Sequence, residues 1–162
     1  LSGPAGAEIA LAAGVDEWAH VPCDPLPDEL IEKAAGAGVR VIGTLDTLSR
    51  TSGLFPNAVR MAQAGIRLLY GTDLAHPDVP WGIDAFELQL MLHTSGGAVT
   101  PAEVLAAATA RAGEHLGLAP LGRLVPGAPA DLIGRRGDAL SRFKLLEYPA
   151  LVVSGGVVVV KG

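Results

Sequence analysis

Leu68-Leu69-Tyr70-Gly71-Thr72-Asp73 carries an apolar strand into a Gly-Thr turn that leaves one carboxylate at the strand's end. In parallel α/β barrels the catalytic groups sit on the carboxyl ends of strands, where the loops gather, while the opposite ends mostly serve stability. Asp73 is therefore the first candidate for chemistry. The competing role for such a residue is a turn or helix cap, its carboxylate accepting nearby N–H groups.

Working upstream, Ala7, Ile9, Ala10 and Leu11 lie at helical spacing within residues 4–13, and Gly14 is a natural stop. Val15 to Val21 reads as a strand that Pro22, Pro25 and Pro27 break into a loop, which leaves His20 at its carboxyl end. Asp28 opens a helix to Ala37, with Leu30, Ile31 and Ala34 on its inner face and Gly38 after it. A strand from Val39 to Leu45, a helix from Asn57 to Ala64 and a strand from Ile66 to Tyr70 complete the alternation. Strand, helix, strand, helix, strand in units of about 25 residues predicts a parallel α/β sheet or barrel with right-handed crossovers.

Downstream, Asp84 to Thr94 forms an apolar-faced helix. Thr100-Pro101-Ala102-Glu103 is a capping box with Pro at the first helical position, opening a helix expected to run to about Ala112. Glu114 to Leu118 adds a last turn that Gly117 and Pro120 end. From Gly122 the chain turns to Gly, Pro and β-branched residues, with strands expected at Ala130–Ile133 and across Leu151–Val160, the latter folded as a hairpin at Ser154-Gly155-Gly156. The expected organisation is an α/β portion over residues 1–121 and a small β module over 122–162.

Of the 162 residues 49% are hydrophobic and 18% charged, with a mean hydropathy of +0.38, which excludes disorder. This is slightly rich for a lone soluble domain, so part of the apolar surface is expected to be covered by a partner segment, and a homo-oligomer is compatible with it. A net charge of −5 without a Lys/Arg cluster offers no footprint for nucleic acid. No apolar run approaches the roughly 18 residues of a membrane span. The single cysteine, Cys23, cannot form an internal disulfide; it reads as a small buried hydrophobe in preference to a pocket-lining thiol, and a cytoplasmic setting is expected. The opening Leu1-Ser2-Gly3-Pro4, without Met, reads as the truncated start of a longer protein.

Three anchors, Val15-Asp16-Glu17-Trp18-Ala19-His20, Tyr70-Gly71-Thr72-Asp73 and Gly122 to Leu132, stand in an order and spacing that resemble the C-terminal portion of an amidohydrolase-superfamily enzyme. Thr72 to Leu92 is most similar to the branch of imidazolonepropionase and Xaa-Pro dipeptidases. The resemblance implies the last three β/α units of a (β/α)8 TIM-type barrel, whose complete form needs roughly 250 residues. It also implies that the β module is part of a composite β-sandwich completed by N-terminal strands.

By that resemblance His20 aligns with the metal-binding histidine ending barrel strand six, and Asp73 with the aspartate ending strand eight. The implied cofactor is a divalent metal, zinc in the first instance, as one or two ions in the full-length enzyme. Such a metal lowers the pKa of bound water to about 7 and polarises the scissile carbonyl. Asp73 would take a proton from the attacking water and return it to the departing amine. The chain departs from the family pattern at Ala19, where an acidic residue often precedes the histidine, and at Val21-Pro22, which replaces a common glycine.

His76 and Trp81 are candidates for contact with a small-molecule substrate, His76 against the alternative of a solvated loop histidine and Trp81 as a residue lining the pocket or packing beneath it. His93 and His115 read as surface residues, Asp131 as the acceptor of a turn hydrogen bond, and Arg123 as structural. The family's paired histidines from strand one, its bridging lysine or glutamate and its strand-five histidine have no counterpart here. Two candidate ligands fall short of the three protein groups a catalytic zinc normally has, so the missing N-terminal half is expected to complete the site. Hydrolysis of an amide or cyclic amide is the leading expectation, deamination its rival, and a metal-free scaffold or binding fragment the alternative of a different class.

Overall fold

The computed structural model describes residues 2–75 and 81–162. Helix α1 (Pro4–Ala12) leads to strand β1 (Glu17–Trp18), then α2 (Asp28–Gly36), β2 (Arg40–Ile42), α3 (Leu54–Gln63) and β3 (Leu68–Leu69). The three strands form one parallel sheet in the order β1-β2-β3, with Trp18 opposite Val41, Val41 opposite Leu68 and Ile42 opposite Leu69. The alternation read from the sequence is present, and the chain is α/β. The strands are shorter than expected: two residues where Val15–Val21 and Ile66–Tyr70 were anticipated, three where Val39–Leu45 was. β1 and β3 are the edges of this sheet, and Gly43 and Thr44, the latter at φ 140°, turn the chain out of β2.

Helix α3 starts three residues before the expected Asn57, because Pro56 falls in its first turn, where the backbone N–H groups have no intrahelical acceptor. Past the undescribed residues come α4 (Ala85–Thr94), α5 (Pro101–Ala107) and α6 (Ala110–His115). Asp84 caps α4 by accepting from the N–H groups of Phe86 and Glu87. The capping box closes as expected, Thr100 Oγ1 accepting from Glu103 N and Glu103 Oε2 from Thr100 N. The single helix expected from Pro101 to Ala112 is two, because Thr109, at φ −133° and ψ −98°, leaves the helical region and its hydroxyl bonds back to Leu105 O. Among the described residues no helix is long and apolar enough to cross a membrane.

One core joins these layers. Leu30, Ile31 and Ala34 of α2, Val41 of β2, Leu54, Ala58 and Met61 of α3, Leu88 and Met91 of α4 and Val104 of α5 are buried together, each on the apolar stripe of its helix or at the middle of the sheet. The second sheet is antiparallel, in the order β4 (Leu132–Gly134), β5 (Leu151–Ser154), β6 (Val157–Lys161). β4 begins two residues later than expected. The β5–β6 hairpin turns on Gly155 and Gly156, both left-handed at φ 55° and 81°, which is the backbone of a two-residue type I′ turn. A short 3-10 helix, Phe143–Glu147, ties this sheet to the rest: Phe143 is buried in the common core, Leu146 packs against it, and Glu147 Oε1 accepts from Ala85 N at the start of α4.

Candidate functional site

His20 lies two residues beyond β1, Thr44 two beyond β2 and Asp73 four beyond β3, so parallel register gathers them at one end of the sheet. His20 and Asp73 are both half-buried. The imidazole Nδ1 of His20 is 2.9 Å from Thr44 Oγ1, a bond that leaves Nε2 for another partner. The Pro-rich loop that follows His20 is held by Asn57, fully buried on α3: its amide nitrogen donates to Pro22 O and Asp24 O and its oxygen accepts from Leu26 N. Half-buried Cys23 belongs to this loop, its carbonyl accepting from Gly53 N.

Asp73 sits at φ 52°, a left-handed conformation that aspartate tolerates better than most residues. Gly71, two residues before it, has no room for a side chain, since a Cβ there would stand 2.4 Å from Ile42 Cγ2. Close packing of β3's exit against β2 is thus one physical reason for the Gly-Thr turn. The turn is tied across the sheet by Thr47, whose hydroxyl donates to Thr72 O at 2.7 Å.

The loop that carries Thr44 and Thr47 rests on a residue that sequence reasoning missed. Glu87 of α4 is fully buried, and its two oxygens accept from Thr44 N at 3.0 Å and Asp46 N at 2.8 Å. Burial pushes its carboxyl up to about 7; the N–H groups of Asp46, Leu45 and Thr44 oppose that rise and the Asp84 charge adds to it. Nearby, Tyr70 accepts from Asp84 N at 2.7 Å, and burial raises its phenol to about 12. A signal for Glu87 was available: Asp84, Glu87, Leu88, Met91 and Thr94, all buried, form an i, i+3, i+4, i+7, i+10 stripe with a carboxylate in it.

The other described candidates fall elsewhere. Trp81 is 89% exposed and lines a hollow with Ile83, Ile133, Leu146, Tyr148 and Val152, a lining that includes neither His20 nor Asp73. It is a wall of that hollow. His76 lies outside the described residues. His93 is exposed. His115, expected at the surface, is only 13% exposed and bonded through Nε2 to Glu17 on β1, because the end of α6 closes over that strand. Asp131 accepts the N–H of Gly155 at 2.7 Å, a turn bond across the β module, and Arg123 pairs with Glu114. Among the described residues no group of three or more His, Cys, Asp or Glu side chains could hold a metal ion.

The sequence profile of the Amidohydrolase family matches residues 12–159. The chain belongs to the amidohydrolase family. Nothing among curated proteins matches it significantly. Among solved structures this amidohydrolase chain is similar to a proposed prolidase from Bifidobacterium longum, at 30% identity and a TM-score of 0.78 over 96% of this chain and 44% of that one. A Xaa-Pro dipeptidase with methionine bound in its active site shares the fold, with 18% identity and a TM-score of 0.82 over 99% of this chain and 43% of that one. An atrazine chlorohydrolase variant from Arthrobacter aurescens TC1, complexed with zinc and atraton, is 27% identical with a TM-score of 0.59 over 90% of this chain and 35% of that one. The chain therefore spans less than half the length of these proteins.

Proposed function

We propose that this chain is the C-terminal portion of a metal-dependent amidohydrolase, the last three β/α units of a TIM-type barrel over residues 1–121 with part of a β-sandwich over 122–162, acting on an amide or cyclic amide C–N bond of a small molecule. The observation that carries the reading is that His20 and Asp73 both follow the carboxyl ends of strands in one parallel sheet, and that the loop between Thr44 and Thr47 bonds to His20 and to the peptide before Asp73. The likeness to a proposed prolidase at 30% identity supports the choice of bond.

The donor set fits a divalent metal in part. Nδ1 of His20 is engaged by Thr44, which turns Nε2 into the available donor, and Asp73 offers a carboxylate; a catalytic zinc usually has three protein ligands, so the remainder belongs to the N-terminal half. When bound, the metal supplies Lewis-acid polarisation of the carbonyl and acidifies water to a pKa of about 7. Asp73 accepts the proton of the attacking water as the new C–O bond forms, then delivers it to the nitrogen as the C–N bond breaks. His76, three positions after Asp73 in the sequence, is proposed to meet the substrate.

The test is zinc content and turnover of an Xaa-Pro dipeptide by the full-length protein. Near-stoichiometric zinc is expected, with Asp73→Ala lowering kcat by about 10²–10⁴ while the fold stays intact. A correctly folded full-length protein that takes up no divalent metal would sink the reading.

A further inference from the structure

Neither candidate ligand is held by its own strand alone. His20 is oriented through Thr44 Oγ1 and the peptide before Asp73 through Thr47 Oγ1, so one short loop touches both. That loop leaves β2 with Thr44 at φ 140°, a conformation a β-branched residue keeps only when its surroundings impose it. Glu87 holds the N–H groups on both sides of that bend. Its carboxylate takes the N–H groups of both Thr44 and Asp46, and it comes so close to the strand that a Cβ on Gly43 would stand 2.5 Å from Oε1. A fully buried carboxylate is costly unless its oxygens are satisfied, and those two bonds both come from this loop.

Resting on the metal reading of His20 and Asp73, we propose that Glu87 is a positioning residue: from α4 it clamps the loop after β2, and the clamped loop sets the tautomer of His20 through Thr44 and the placement of Asp73 through Thr47. The hydrogen bonds of Glu87 described above go to the loop. Its effect runs through two backbone N–H groups and two threonine hydroxyls. Glutamine cannot replace it, because an amide offers one oxygen and would turn its NH₂ group against the second N–H donor.

The experiment uses the full-length protein with two readouts besides activity: the ring ¹⁵N shifts of His20 in the zinc-free protein, and zinc affinity by competition with a chelator. Native His20 is expected as the Nδ1–H tautomer. Thr44→Val should lose that tautomer and bind zinc about 10–100-fold more weakly, and Thr44→Ser, which keeps the hydroxyl, should restore both. Glu87→Gln should shift the His20 ring signals and lower zinc affinity to a similar degree, whereas Thr47→Val should weaken zinc without changing the tautomer. A folded Glu87→Gln protein with native ring signals and native zinc affinity overturns the proposal. If Glu87→Gln does not fold, the threonine variants decide: native behaviour in both Thr44→Val and Thr47→Val overturns it as well. Native protein without zinc affinity would remove the metal reading, and the His20 tautomer in the variants would still decide the clamp.

Discussion

The two sheets of this molecule have three strands each and are held in opposite ways. The parallel sheet has ladders of only two or three residues, yet Trp18 and Val41 are buried in one core with the helices, and Leu69 is buried as well. The antiparallel sheet has the longer ladder, up to five residues in β6, yet Val157 to Val160 remain 47–63% exposed. Backbone pairing and apolar burial are separate contributions, and the second carries most of the stability. The candidate site stands on the buried sheet, where short strands leave loop ends that side chains from the helices, Glu87 and Asn57, can fix.

The widest break in that contrast should come from Phe143, the aromatic side chain that roots the antiparallel sheet in the core. Phe143→Ala is expected to cost about 3–5 kcal/mol in denaturant unfolding, with amide exchange accelerated at Val152 and Val153 more than at Val41. Equal acceleration at all of them would show the two sheets to be one cooperative unit.

A smaller effect is expected from acid and base on the buried side. Burial raises the Glu87 carboxyl from 4.5 to about 7, so its neutral form is favoured in the folded protein. The stability this contributes is full below the unfolded value and is lost as pH climbs through about 7, a span worth up to about 3 kcal/mol. Relative to Glu87→Gln, the native protein should therefore be more stable near pH 5 than near pH 8. A pH-independent difference between the two would mean that the Thr44 and Asp46 N–H groups hold the carboxylate charged throughout.

Next in size is the capping box. Thr100→Ala should lower stability by about 1 kcal/mol in a thermal melt, since the Glu103 N–H loses its acceptor at an exposed helix start. The smallest effect sharpens the comparison from the exposed side: Val159→Thr on β6 should change stability by less than about 0.5 kcal/mol. A loss well beyond that in the full-length protein would show that another segment or subunit covers this strand.

Much of the architecture was legible because its signals act within a few residues. Gly14 after α1, Pro at the start of α5, the Thr100–Glu103 box, Gly38 after α2 and the Gly155-Gly156 turn each dictate a local backbone state, and the hydrophobic period between them gives the alternation of strand and helix. Strand ends were overread because apolar residues continue past the last ladder bond, as at Tyr70. The break at Thr109 was invisible, since Pro101 suits a first helical position and every residue from Ala102 to Ala112 is compatible with one helix.

By itself the amino-acid sequence determined element types, their order and the placement of His20 and Asp73 after strands, all consequences of short-range sterics and hydrophobic period. Only the tertiary structure decided that Glu87 reaches the Thr44 N–H, 43 positions away, and that His115 closes on Glu17, 98 positions away. Those partners meet because burying the helix stripes against the sheet brings them together, and nothing local in either residue specifies the other.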